Sequence, residues 1–223
     1  MIRAMRARMS ATKESGDRGM SILELIVSMG IFSVVLVVFM SAVATMAKTT
    51  VKSQATSDSA DQMRNVFLRM DKEIRYASDI NTPGTANGAV YVECWVPENA
   101  ANSASMCVQW RYVIATHILQ RRTWTYGAPG TVTGWITMAT DLRNNLAVPA
   151  QQPFTIHRAG ALGSKVYLHQ RLDVYLSAGL GADTSDSRGS ELATSFVAQN
   201  SSTASVSNPG VTKVCLTGTV QRP

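Results

Sequence analysis

The sequence predicts an α+β protein: a long N-terminal α-helix, its first half transmembrane, packed by its second half on an antiparallel β-sheet domain. Three observations predict it. Residues Leu25 to Ala47 form a run of 23 residues without a formal charge. Apolar residues then recur at steps of three and four from Ala60 to Ala77, the spacing of one helix face. Beyond Pro83 the period falls to two, that of strands. Four parts follow: a leader over 1–19, the membrane half of the helix over 20–47, its amphipathic half over 48–79, and a β-rich domain over 80–223.

The leader carries Arg3, Arg6, Arg8, Lys13 and Arg18 against Glu14 and Asp17, a net of +3. The rest of the chain holds the other 16 basic and 13 acidic groups, so half of the formal +6 belongs to the leader. The basic balance is therefore weak support for a nucleic-acid surface. Basic residues flanking a span tend to stay on the cytoplasmic side. Five precede the run and Lys48 and Lys52 follow it, which places the N-terminus inside and everything beyond about Lys48 outside. At about 1.5 Å per residue the run makes a helix about 35 Å long, enough for a hydrocarbon core of about 30 Å. Glu24, at its start, is the exception to its apolar character. A charge deep in a membrane helix costs about 2.5–3.5 kcal/mol even on lenient scales, so it calls for a function or a partner.

The order Arg18-Gly19-Met20-Ser21-Ile22-Leu23-Glu24, leading into an unbroken apolar helix, resembles the cleavage site of type IV prepilins and pseudopilins. The resemblance implies that a membrane prepilin peptidase cuts between Gly19 and Met20 and that the new N-terminus is methylated. Glu24 then becomes the fifth mature residue, as the family requires; Met20 stands where Phe is commoner. It further implies that subunits leave the bilayer and bundle by their apolar helices into a filament, Glu24 pairing with the Met20 ammonium of a neighbour. The layout also resembles the J- and W-type minor subunits. The proline that most large major pilins carry midway along the helix is absent. Two other readings use the same run. Ala42-Val43-Ala44 is an A-x-A site for a conventional signal peptide, which would leave a soluble secreted protein starting at Thr45. A signal peptide's apolar region is typically about 7–15 residues, shorter than this run. An uncleaved anchor with Glu24 among the headgroups is the other.

Lys48 to Ser59 has the composition of an exposed helix or a bend. Ala60, Met63, Phe67, Met70, Ile74 and Ala77 then mark one helix face, expected to pack on a core, and Asp61, Arg64, Arg69, Asp71, Lys72 and Glu73 fill much of the other side. After Asn81-Thr82-Pro83-Gly84, strands are expected over 90–96, 106–114 and 118–124, then over 131–137. Val166 to Leu176 has the clearest alternation in the chain. Residues 191–198 and 211–220 read as further strands, with 179–189 a loop and the Ser-rich stretch 200–209 loose. No internal repeat is present.

Chemistry is scarce, and no enzymatic activity or cofactor is expected. His117, His157 and His169 have no metal-ligand spacing, and no Walker-type loop, H-E-x-x-H or G-x-S-x-G occurs. His169, Arg171 and Asp173 share a strand face, as alternation on a solvated sheet also predicts. Asp183, Asp186 and Glu191 could offer oxygens to Ca²⁺, but without EF-hand spacing. A pilus-tip module binding DNA or a surface would use Arg111, Arg121, Arg122 and Trp124, although Trp in a strand is more often core. The three cysteines, Cys94, Cys107 and Cys215, suit an oxidising compartment. A hairpin looping near Pro97 to Ala104 would set Cys94 opposite Cys107 for a disulfide, with Trp95 opposite Met106 and Cys215 left over. Three buried thiols are the alternative. The sequence thus reads as a minor pilin or pseudopilin. Its expected partners are prepilin peptidase, other pilin subunits and the cytoplasmic membrane.

Overall fold

The computed structural model describes residues 19–98, 103–162, 165–179 and 188–215. The architecture is α+β, one α-helix followed by antiparallel strands. The chain divides into two compact units, Met1–Thr50 and Val51–Pro223.

Helix α1 runs unbroken from Ile22 to Arg75, 54 residues. It contains no proline and a single glycine, Gly30, so no residue removes a backbone hydrogen bond from its interior. Its hydroxyls turn back on carbonyls one turn earlier, Ser33 on Met29 at 2.7 Å and Thr45 on Ser41 at 2.9 Å. That bond satisfies a polar side chain in an apolar helix without water. The polar stretch 48–59 is helical too and shows no bend.

Within the second unit one face of α1 is buried: Ser59, Met63, Val66, Met70, Glu73 and Ile74. The expected stripe is right in kind and rotated slightly in place. Ala60 and Phe67 lie outside it and Val66 and Glu73 lie within it. Phe67 packs at the margin, its ring centroid 5.5 Å from that of Phe196.

Strands β1 (Asp79–Ile80), β2 (Gly84–Ala86), β3 (Ala89–Val96), β4 (Met106–Val113), β5 (Ile118–Thr125) and β6 (Ile136–Ala139) form one antiparallel sheet. Its order is β1-β3-β4-β5-β6, with β2 also on the free side of β3. Asn87-Gly88 joins β2 to β3 with φ of 48° and 71°, the left-handed pair that a two-residue type I′ hairpin demands. Next come β7 (Phe154–His157), the hairpin of β8 (Gly160–Leu162) and β9 (Lys165–Tyr167), then β10 (Arg171–Gly179) and β11 (Arg188–Val197). The last two join β7 in a smaller sheet ordered β11-β10-β7.

The inner faces of both sheets meet the buried face of α1. Met63, Val66, Met70 and Ile74 pack with Val92, Val108, Trp110 and Leu119 of the large sheet and with Phe154, Leu172, Val174, Leu176 and Phe196 of the small one. A second cluster, Cys107, Trp124, Val214 and Cys215 with Trp95 and Val132, covers the opposite face of the large sheet. β3 and β4 are thus buried on both sides, and Glu93 and Gln109 are 3% and 0% exposed. They satisfy each other there, Gln109 Nε2 donating to Glu93 Oε1 at 2.6 Å and Asn81 Nδ2 to Glu93 Oε2 at 2.8 Å.

The strands expected over 90–96, 106–114, 118–124 and 191–198 are present within a few residues. Four expectations need correction. Of residues 131–137, Thr131 ends a 3-10 turn, Pro129–Thr131, and a strand begins only at Ile136. The run 166–176 is two strands, with Val166 and Leu168 exposed. The chain bends at 168–169, and beyond the bend Gln170 faces inward with Leu172 and accepts from the Ile80 N–H at 2.8 Å. The segment 211–215 contains no strand, and the rest of that expected strand lies outside the described residues. The Ser-rich stretch is tied down: Ser207 Oγ donates to the Ile80 carbonyl at 2.8 Å while its N–H donates to Asp79 Oδ1 at 2.8 Å.

Candidate functional site

Gly19 and Met20 lie just before α1, exposed. Ser21 starts the helix: the Glu24 N–H donates to its Oγ at 3.4 Å, and the Leu25 N–H to its carbonyl at 3.1 Å. Ser21-Ile22-Leu23-Glu24 is the S-x-x-E spacing of a capping box, a signal that the sequence reading above passed over. An acid in the first turn also meets the positive end of the helix dipole. Glu24 therefore has a local reason to stand where it does, besides any role between subunits. Its backbone carbonyl accepts the Ser28 hydroxyl, and no described residue hydrogen-bonds its carboxylate.

From there to Met46 the large apolar side chains are exposed, Ile22 at 81%, Phe32 at 66% and Met46 at 70%. The helix is long and apolar enough to cross a membrane by length and composition. An apolar surface of that extent on a soluble monomer is rare and marks a site of interaction with a membrane or another chain.

In the second unit the charged centre is Glu73, placed by its spacing on the polar side of α1 but found 8% exposed. Its Oε1 accepts from Arg121 Nε at 2.7 Å and from Arg69 Nε at 2.6 Å, and its Oε2 from Trp110 Nε1 at 3.1 Å. Arg121 is itself only 6% exposed. The buried carboxylate thus ties the helix to β4 and β5. Helical spacing could not reveal this, because the partners come from strands 37 and 48 residues away.

The same geometry divides the residues considered for nucleic-acid binding. Arg121 is committed to Glu73, and Trp124 is 1% exposed. Arg111 and Arg122 stand on the face opposite Arg121, the one in which Trp124 is buried, and stack on Trp135, at 3.8 and 4.1 Å from its ring centroid. The four make no common surface. His169, Arg171 and Asp173 likewise do not form one group. His169 precedes β10, with Nδ1 2.6 Å from the Ser201 carbonyl. Asp173 instead meets His157 Nε2 at 2.7 Å, Arg171 Nε at 3.2 Å and the Ser195 hydroxyl. Hydroxyl and imidazole both bond to the carboxylate, not to each other, so they make no nucleophile–base pair. Of the considered calcium ligands, Asp183 and Asp186 lie outside the described residues, and Glu191 accepts from the Tyr175 hydroxyl at 3.1 Å. No group of three metal-ligating side chains occurs among the described residues.

The expected Cys94–Cys107 disulfide is not formed. β3 and β4 pair Trp95 with Cys107 and Cys94 with Val108, one residue away from the expected register. Side chains alternate along a strand, so that single step puts the two sulfurs on opposite faces of the sheet. Cys94 faces the helix, while Cys107 bonds to Cys215 with a Cα–Cα distance of 5.8 Å. Burial pushes the Cys94 thiol well above its ordinary pKa, and the nearby Glu73 carboxylate adds to the effect. The thiolate is the reactive form. Iodoacetamide at pH 8 is therefore expected to leave Cys94 unmodified in the folded chain and to label it once denaturant is added. Labelling of the native protein would place the thiol elsewhere.

No model of a known protein family matches the chain, and no curated protein matches it. The function rests on the fold and on the stem.

Proposed function

We propose that the chain is a minor pilin or pseudopilin: a non-enzymatic structural subunit of a type IV pilus or secretion pseudopilus. The observation that carries this is the exposed apolar half of one continuous helix, introduced by the Gly19 to Glu24 spacing. A lone soluble domain has no use for such a stem. A bilayer can cover it before assembly and the stems of neighbouring subunits can cover it afterwards. In this reading the N-terminus starts in the cytoplasm, the β-rich domain lies outside, and prepilin peptidase removes residues 1–19. Cleavage turns the Met20 amide into an ammonium. In a low-dielectric filament core that cation and a neighbour's Glu24 each need the other, since an unpaired charge there costs about 3–5 kcal/mol.

Co-expression with a prepilin peptidase is expected to shorten the chain by residues 1–19 and to leave a methylated Met20, read by intact mass and N-terminal sequencing. A mature start at Thr45 would instead identify a conventional signal peptide, and an unshortened chain an anchor. Glu24 has two roles to separate. Gln keeps the shape of the side chain and removes the charge; Ala removes both, and the backbone bond from residue 24 to Ser21 Oγ survives in either. Both variants should be cleaved, and both should enter filaments poorly if pairing with the ammonium is what matters. Normal incorporation of Glu24→Gln would show that the charge, and with it pairing to the ammonium, is not what matters.

A further inference from the structure

The small sheet has one face against α1 and the other open. On that open face β7, β10 and β11 present the rows His157–Arg171–Val197 and Thr155–Asp173–Ser195, set by their pairing register. The 3-10 turn at Pro149–Gln151 rises beside them and closes one side of a groove of about 470 Å³. Small-molecule sites commonly span about 300–1,000 Å³. Gln152, Thr155, Asp173, Tyr175, Thr194 and Ser195 line it, with Pro149 at the rim.

The lining chemistry limits the occupant. No lysine or arginine is among the described lining residues, and the neighbouring Arg171 is paired with Asp173, which leaves an anion without a free counter-charge there. Its one carboxylate, Asp173, is already engaged by His157, Arg171 and the Ser195 hydroxyl, so a cation would have to displace existing partners. What remains is the Gln152 amide with the Thr155 and Ser195 hydroxyls, since Thr194 stands in the inner row opposite Val174 and the Tyr175 hydroxyl donates to Glu191. Each hydroxyl can donate and accept at once, the demand made by a ligand whose own groups are hydroxyls. Pro149 and the Tyr175 ring add apolar surface suited to the C–H face of a pyranose.

We propose that this groove binds a neutral oligosaccharide, with Gln152, Thr155 and Ser195 as its hydrogen-bonding residues. The inference is independent of filament assembly and concerns what the exported domain touches. The test uses the full chain in a non-glycosidic detergent, with maltotetraose, cellotetraose and tetra-N-acetylchitotetraose as probes and heparin as the acidic comparator. At least one neutral probe is expected to bind saturably, and Gln152→Ala and Ser195→Ala each to weaken it about fivefold, the loss of one hydrogen bond. Gln120→Ala, on the large sheet, should leave the affinity unchanged, and all three variants should still unfold cooperatively. The proposal is overturned if none of the neutral probes saturates by about 10 mM, if only heparin binds, or if the groove variants bind as the parent does. Cleavage after Gly19 can succeed or fail without bearing on any of these outcomes.

Discussion

Arg121→Ala is expected to destabilise the domain by about 3–5 kcal/mol, the cost of stranding a buried charge whose partner has been removed. Glu73 stays behind with Trp110 Nε1 and the half-exposed Arg69 as its remaining partners. Glu73→Ala should cost a similar amount, because it strands Arg121 and deprives the Trp110 indole of its acceptor. Glu73→Leu with Arg121→Met removes both charges at similar volume and should recover much of the loss, since a buried ion pair adds little over well-packed apolar groups. Denaturant unfolding followed by tryptophan fluorescence on the full chain in detergent measures all three. If Arg121→Ala costs under about 1 kcal/mol, the range of an exposed pair, the ion pair is solvated in solution and does not hold helix to sheet.

Breaking Cys107–Cys215 should have a comparable effect. The bond closes a loop between residues 108 apart in sequence. For a loop on the order of 100 residues the chain-entropy model gives about 4–5 kcal/mol, less any native strain. Cys215→Ser should therefore lower stability by several kcal/mol and loosen the outer cluster around Trp95, Trp124 and Val214 first. Cys94→Ala removes one sulfur from a packed core and should cost nearer 1 kcal/mol. Non-reducing peptide mapping of protein from an oxidising compartment should recover the 107–215 cross-link with Cys94 as a free thiol. A Cys94–Cys107 peptide, or a Cys215→Ser variant no less stable than Cys94→Ala, would contradict the register described above.

The amino-acid sequence by itself determined whatever depends on neighbours a few residues apart. The uncharged run, the three-and-four spacing and the absence of proline and of all but one glycine specify the long helix. Alternation specified β3, β4 and β5 almost to their ends. Ser21 with Glu24 and Asn87 with Gly88 carry local signals of the same kind, a capping-box spacing and a hairpin turn, which went unread until the structure showed them. What only the tertiary structure decided has its cause far along the chain. Glu73 is polar by type and buried because Arg121 and Trp110 come to meet it. The alternation from Val166 to Leu176 holds only from Gln170 onward, where Ile80, 90 residues earlier, gives the buried amide a partner; Val166 and Leu168 stay exposed. The cysteine pairing turned on a one-residue register. Alternation sets Cys94 in the apolar row of Val90, Val92 and Val96, and Cys107 in the row of Gln109 and Arg111. Laying both apolar rows on the core therefore sends the two sulfurs to opposite faces, a conflict with the hairpin register that the spacing of the cysteines alone suggested. Which residue Cys107 meets instead only the tertiary structure decided, through the segment that covers the outer face and brings Cys215 to Cys107.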